Sequence, residues 1–178
     1  MLFRHTDRRG YSVMELVITM GVIGAALATA MIYQGKAASQ NRVNNFATAL
    51  QDTVSKVRAA YISDPNGFSS VTGTTIGNMK LYSPPIKFDG TSLYTPFTTD
   101  AVTVAGNATQ FWWQFTVNQD ECVAVGTRIG QFAYSSSVSN GGWQVFQDST
   151  NGSWNMTNLI NGCKAGSPVT LLFYFGKY

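Results

Sequence analysis

With 178 residues, the chain has room for one globular domain plus one further element, and a second full domain would be crowded. Charged residues supply only 12% of the chain and aromatic residues 13%, a balance that argues against disorder and predicts a packed head. The formal charge of +3 is concentrated at the start, where Arg4, Arg8 and Arg9 accompany Asp7, so no basic face for nucleic acid remains.

Residues 1–10, MLFRHTDRRG, are polar and basic, whereas LVITMGVIGAALATAMIY from Leu16 to Tyr33 carries no charge. At about 1.5 Å per residue that run reaches roughly 27 Å, close to the hydrocarbon thickness of a bilayer. The basic side is expected to stay cytoplasmic. Val43, Phe46, Ala47, Leu50, Val54, Val57 and Tyr61 then recur every three or four residues, with Gln40, Arg42, Asn45, Asp52, Lys56 and Arg58 between them. This is the pattern of an amphipathic helix. The breakers Asp64, Pro65, Asn66 and Gly67 end it near Ser63, so residues 12–63 read as one helix of about 75–80 Å. Gly21, Gly24 and Gly35 weaken it locally by about 1 kcal/mol each relative to alanine.

Residues 64–110, rich in Gly, Ser, Thr, Asn and Pro, read as a long loop with little regular structure. The aromatic and β-branched runs Gln110 to Val117, Gly130 to Ser135, Gly142 to Phe146 and Val169 to Phe175 read as strands. Asn140-Gly141-Gly142 is placed as a hairpin turn, and Glu121 to Ile129 is compatible with a short helix. Strand alternation sends Trp112 and Trp113 to opposite faces, one to the core and the other to the surface or a neighbouring subunit. The expected fold class is α+β, a long N-terminal helix on a C-terminal antiparallel or mixed β-sheet head.

Little in the chain suits catalysis. The one histidine, His5, lies in the basic start, which leaves neither a Ser-His nor a Cys-His pair. Asp120 and Glu121 read as a solvated surface or a helix cap, and Asn107, Asn151 and Asn155 each open an N-x-S/T triplet without further meaning. Cys122 and Cys163 form a lone pair without a CxxC or Cys/His ligand cluster. In a chain with an export signal such a pair reads as a disulfide, which would stabilise the fold by roughly 4 kcal/mol. No metal, cofactor or catalytic residue is expected.

An ordinary secretory signal cut after Ala30 also suits the composition, since Ala28-Thr29-Ala30 fits the A-x-A rule. Against it stand Glu15 at the edge of the apolar run, where a carboxylate costs about 1–3 kcal/mol, and a helical pattern that continues past the cut.

Arg9-Gly10-Tyr11-Ser12-Val13-Met14-Glu15-Leu16 resembles the processing site of type IV prepilins. Ala38-Ser39-Gln40-Asn41, Asp120-Glu121-Cys122 and Asn161-Gly162-Cys163-Lys164 resemble type IVb pilins such as the toxin-coregulated and bundle-forming pilins. The resemblance implies a leader of residues 1–10, a helix over 11–63 with its membrane and assembly segment at 16–33, and a head over 64–178 carrying the disulfide region 122–163. It implies that a prepilin peptidase and N-methyltransferase cuts after Gly10 and methylates Tyr11, and that Glu15 serves assembly. The resulting subunit of a helical homopolymer would sit in the inner membrane with its head periplasmic, then on the cell surface as a pilus. An assembly ATPase, a platform protein and a secretin are the implied partners. A minor pilin or type II secretion pseudopilin is the alternative within this class, and a secreted binding protein or adhesin released after Ala30 is the alternative outside it.

Overall fold

A computed structural model describes residues 13–139, 142–148, 153–164 and 166–176. The chain divides into two compact units, Met1–Ala38 and Ser39–Tyr178, and helix α1 (Val13–Tyr61) contributes to both. In the first unit, α1 exposes its apolar side chains, including Val17, Val22, Leu27 and Ile32.

The second unit is an eight-stranded antiparallel sheet with helices on one face. In chain order its elements after α1 are α2 (Gly73–Asn78), β1 (Lys87–Phe88), β2 (Leu93–Tyr94), β3 (Ala101–Gly106), β4 (Gln110–Val117), α3 (Gln119–Gly130), β5 (Ser135–Ser139), β6 (Trp143–Asp148), β7 (Ser153–Trp154), α4 (Met156–Cys163) and β8 (Val169–Gly176). The strand order is β1-β2-β3-β4-β8-β5-β6-β7, so β8, late in sequence, lies between β4 and β5.

Period-two patterning places β4 and β8 at the centre. Phe111, Trp113, Phe115 and Val117 stand opposite Phe175, Phe173, Leu171 and Val169, and all eight are buried. The seven apolar positions expected on the core face of α1, Val43 to Tyr61, are all buried as well. Phe46 meets Phe97 and Phe115 edge-on at centroid distances of 5.0 and 5.2 Å, a favoured aromatic geometry that docks α1 to the sheet. The other face of β4 carries Trp112, whose ring lies 5.9 Å from that of Tyr174, so the two tryptophans do point to opposite sides.

Several expectations need correction. The stretch 64–110 contains α2, β1, β2 and β3; its strands were hidden because two are only two residues long and β3 is built on alanine and glycine as much as valine. Residues 130–134 are not in a strand, and β5 begins only at Ser135. α3 runs to Gly130, and the Ile129 carbonyl then accepts the N–H groups of Phe132 and Ala133 in a turn. The strand that follows, β5, is Ser-Ser-Ser-Val-Ser, held by pairing on both sides. Glu121 to Ile129 lies within α3, and α4 follows the N-cap Asn155, whose side chain accepts from Asn158 N–H at 3.0 Å. The Asn140-Gly141 part of the expected hairpin turn lies outside the described residues.

Candidate assembly helix and its support in the head

The apolar part of α1 has the length and composition to cross a membrane. Its mean hydropathy reaches 2.1 and none of that stretch is buried within the chain. The core helix of a water-soluble protein would be covered; this one is bare, and leaving a single Val, Leu or Ile in water forgoes about 1.5–3 kcal/mol. Apart from the adjacent helix backbone, no atom among the described residues lies within 4 Å of a Cβ built at Gly21, Gly24 or Gly35, so each position leaves room for close approach. Glu15 belongs to α1, close to its start at Val13. Gly10, Tyr11 and His5 lie outside the described residues.

Within the second unit, α1 is tied to the head by polar contacts at several points along its length. Where α1 enters this unit, Ser39 and Arg42 converge on Glu121 of α3. Glu121 Oε1 lies 2.6 Å from an Arg42 guanidinium nitrogen and accepts from the Ser39 hydroxyl at 3.2 Å. Glu121 is only 3% exposed, which corrects its expected place on a solvated surface; Asp120 beside it is exposed. The reason is helical geometry, since successive residues of α3 point about 100° apart and only one of the two acids can face α1. Glu121 Oε2 has no hydrogen-bond partner among the described residues, so the charge depends on Arg42 and Ser39 alone.

Further along, Asp52 pairs with Lys56 at 2.7 Å and receives the Ser83 hydroxyl, and these hydrogen bonds hold its carboxyl below the usual aspartate range. The backbone N–H of Ser83 donates to Thr53 Oγ1 at 3.2 Å, tying the loop before β1 to the helix. Near the helix end Arg58 Nε donates to the Gly176 carbonyl at 3.0 Å, and burial lowers the guanidinium pKa.

The structure joins Cys122 and Cys163 in a disulfide, with Cα atoms 5.7 Å apart and both residues buried. It fastens α3 to α4 one residue from Glu121. Sequence reasoning singled out the two cysteines but missed Arg42 and Ser39 as partners of Glu121. The usable signal was an acid next to a core cysteine, with an arginine at the start of the amphipathic half. Among the described residues no group of three or more His, Cys, Asp or Glu side chains is placed to hold a metal ion.

No protein-family model matches this sequence, and no curated protein matches it. A solved structure does. The crystal structure of TcpA, a type IV pilin from Vibrio cholerae El Tor biotype, superposes with a TM-score of 0.53 at 17% identity, covering 75% of this chain and 98% of that one. The fold is a type IV pilin fold. At that identity the likeness is one of architecture, and it spans nearly the whole of the solved pilin. In pilin terms the long helix and the antiparallel sheet are both present, and Cys122–Cys163 is a disulfide within the pilin-like head.

Proposed function

We propose that this chain is the major structural subunit of a type IVb pilus, polymerising through its apolar helix after a prepilin peptidase removes residues 1–10. The observation that carries this reading is the bare apolar stretch of α1 on a chain whose fold is a pilin fold. A surface of that kind demands an apolar environment, and two supply it: the bilayer before assembly and the helices of other copies after it. Each copy would meet the next through different patches, a heterologous contact that does not close and therefore extends into a fibre. The role is structural and no reaction is assigned. Gly10, Tyr11 and Glu15 take the parts that the processing motif gives them. The assembly ATPase, platform protein and secretin are the machinery such a subunit requires.

N-terminal sequencing of the mature protein from a host with a prepilin peptidase tests the reading. The expected first residue is Tyr11. A chain beginning at Met31, or one left uncut, overturns it.

A further inference from the structure

The sheet keeps its helices on one face. α1 packs there through Phe46 and Phe115, α3 through Gly130 and Phe146, and α4 through Gly162 and Val138. Strand register lines up the residues of the other face in rows. Thr103, Gln114, Leu172, Ser137 and Val145 stand side by side across β3, β4, β8, β5 and β6, and Ala105, Trp112, Tyr174 and Ser135 form the next row. The Trp112 and Tyr174 rings lie 5.9 Å apart, and Val145 is 47% exposed.

This face is without charge. β3, β4, β5 and β8 contain no Lys, Arg, Asp or Glu, and the one acid of β6, Asp148, is the last residue of that strand. On an ordinary solvated surface about a quarter or more of the positions carry charge. Loss of charge together with exposed Trp and Tyr is instead the composition of the middle of a protein–protein contact.

Self-complementarity selects the partner. When a face meets its own copy across a two-fold axis, side chains near the axis meet their like, so a charge there faces an equal charge and is repelled. Gln, Thr and Ser side chains both donate and accept, and so pair with themselves. A partner steered by charge would find no counterpart on these strands.

We infer that this face is a contact between two copies of the chain, sheet against sheet, with Trp112 and Tyr174 near its centre. Such a contact is isologous and closes on two copies, so it is separate from the fibre-forming contact proposed above and does not rest on it. Five strands about 4.8 Å apart, over about five residues of roughly 3.4 Å each, give a patch on the order of 400 Å² per copy. That is about half of what a stable complex buries on each side, so the pair is transient and has to be trapped.

Cross-linking of the full chain with a short bis-maleimide tests it, at about 0.3 mM chain and with enough zwitterionic detergent for one chain per micelle. Gln114→Cys, in the middle of the face, is expected to give at least about tenfold more covalent dimer than Ser55→Cys, an exposed position on α1. The yield should stay the same between about 0.05 and 0.5 M salt, as a contact without charges requires. Adding Trp112→Glu to Gln114→Cys should lower the yield roughly tenfold, and so should Thr103→Lys, an exposed position directly opposite Gln114. Far-UV circular dichroism checks that each variant is folded. If Trp112→Glu does not fold, Thr103→Lys decides alone. Equal dimer from the two cysteines, or a yield indifferent to the added charge, overturns the inference. So does a Gln114→Cys thiol that phosphatidylethanolamine vesicles shield from a monofunctional maleimide without any dimer, which would give the face to a lipid surface.

Discussion

The Arg42 guanidinium and the Glu121 carboxylate meet at 2.6 Å although one is 45% exposed and the other 3%, so the pair is asymmetric: a wet cation holds a dry anion. Removing the cation should therefore cost more than removing both charges. Arg42→Ala is expected to destabilise the head by about 1–3 kcal/mol, below the figure for a fully buried pair because the arginine is already part solvated. Adding Glu121→Gln should recover most of that loss. Urea titration of the full chain in detergent measures both, and a double variant no more stable than Arg42→Ala would show that the stranded carboxylate is not the source.

The disulfide supports a second prediction. Cys122 and Cys163 are both buried, so native protein should show no alkylatable thiol without denaturation and reduction. Cys163→Ser, by releasing the loop constraint, should lower stability by about 2–4 kcal/mol. Lower head stability with unchanged N-terminal processing is the expected phenotype, read by urea titration and N-terminal sequencing. Free thiols in the oxidised native protein would contradict it.

Glu15 supplies a third. Its position at the edge of an apolar run makes a carboxylate costly there unless it has a use, and pairing with the amine of Tyr11 on a neighbouring subunit is the use we propose. Glu15→Val should be inserted and cut nearly as the parent chain is, accumulate in the inner membrane and yield few or no filaments. Electron microscopy and a shear assay check this. Normal filaments would remove the assembly role, and loss of cleavage would assign the residue to the peptidase instead.

Acid titration provides a fourth. Backbone N–H groups of Ser92 and Thr91 and the Tyr94 hydroxyl, at 2.8, 2.8 and 2.9 Å, donate to the Asp89 carboxylate and lower its pKa from the ordinary 3.8. A folded pKa below the unfolded one means that the stabilisation is present above the unfolded value and is lost as pH falls through the folded one. Carbon-detected NMR should place the Asp89 midpoint below 3.8, and Asp89→Asn should lower stability near neutrality, where the contribution is present, and flatten the acid limb, where it is lost. A midpoint at or above the ordinary value would contradict the turn geometry.

Much of the architecture was legible because it rests on periodicity. The buried stripe of α1 from Val43 to Tyr61, the alternation of β4 and the apolar run of β8 each announce themselves within a few turns or residues. What escaped was what neighbours impose. β5 is a strand of four serines and one valine because β8 and β6 supply its pairing, and Ser136 and Ser137 are buried by position alone. Glu121 escaped for the same reason, since its burial depends on an arginine far away in sequence. Gly10 and Tyr11, which we propose as the processing residues, are legible only as a motif, because the chemistry proposed to read them would belong to another protein.

The position of β8 bears on how the head is made. Until residues 169–176 have been synthesised, β3–β4 and β5–β6 are separate hairpins, each with an open edge where β8 will lie. The head thus cannot close around a partial chain. A head of this topology would stay open until β8 has been made, then fold in one step that zips both hairpins onto a single strand. Ribosome stalling or premature termination ahead of Val169 would leave two sticky edges in place of a smaller folded domain, a form exposed to aggregation and proteolysis.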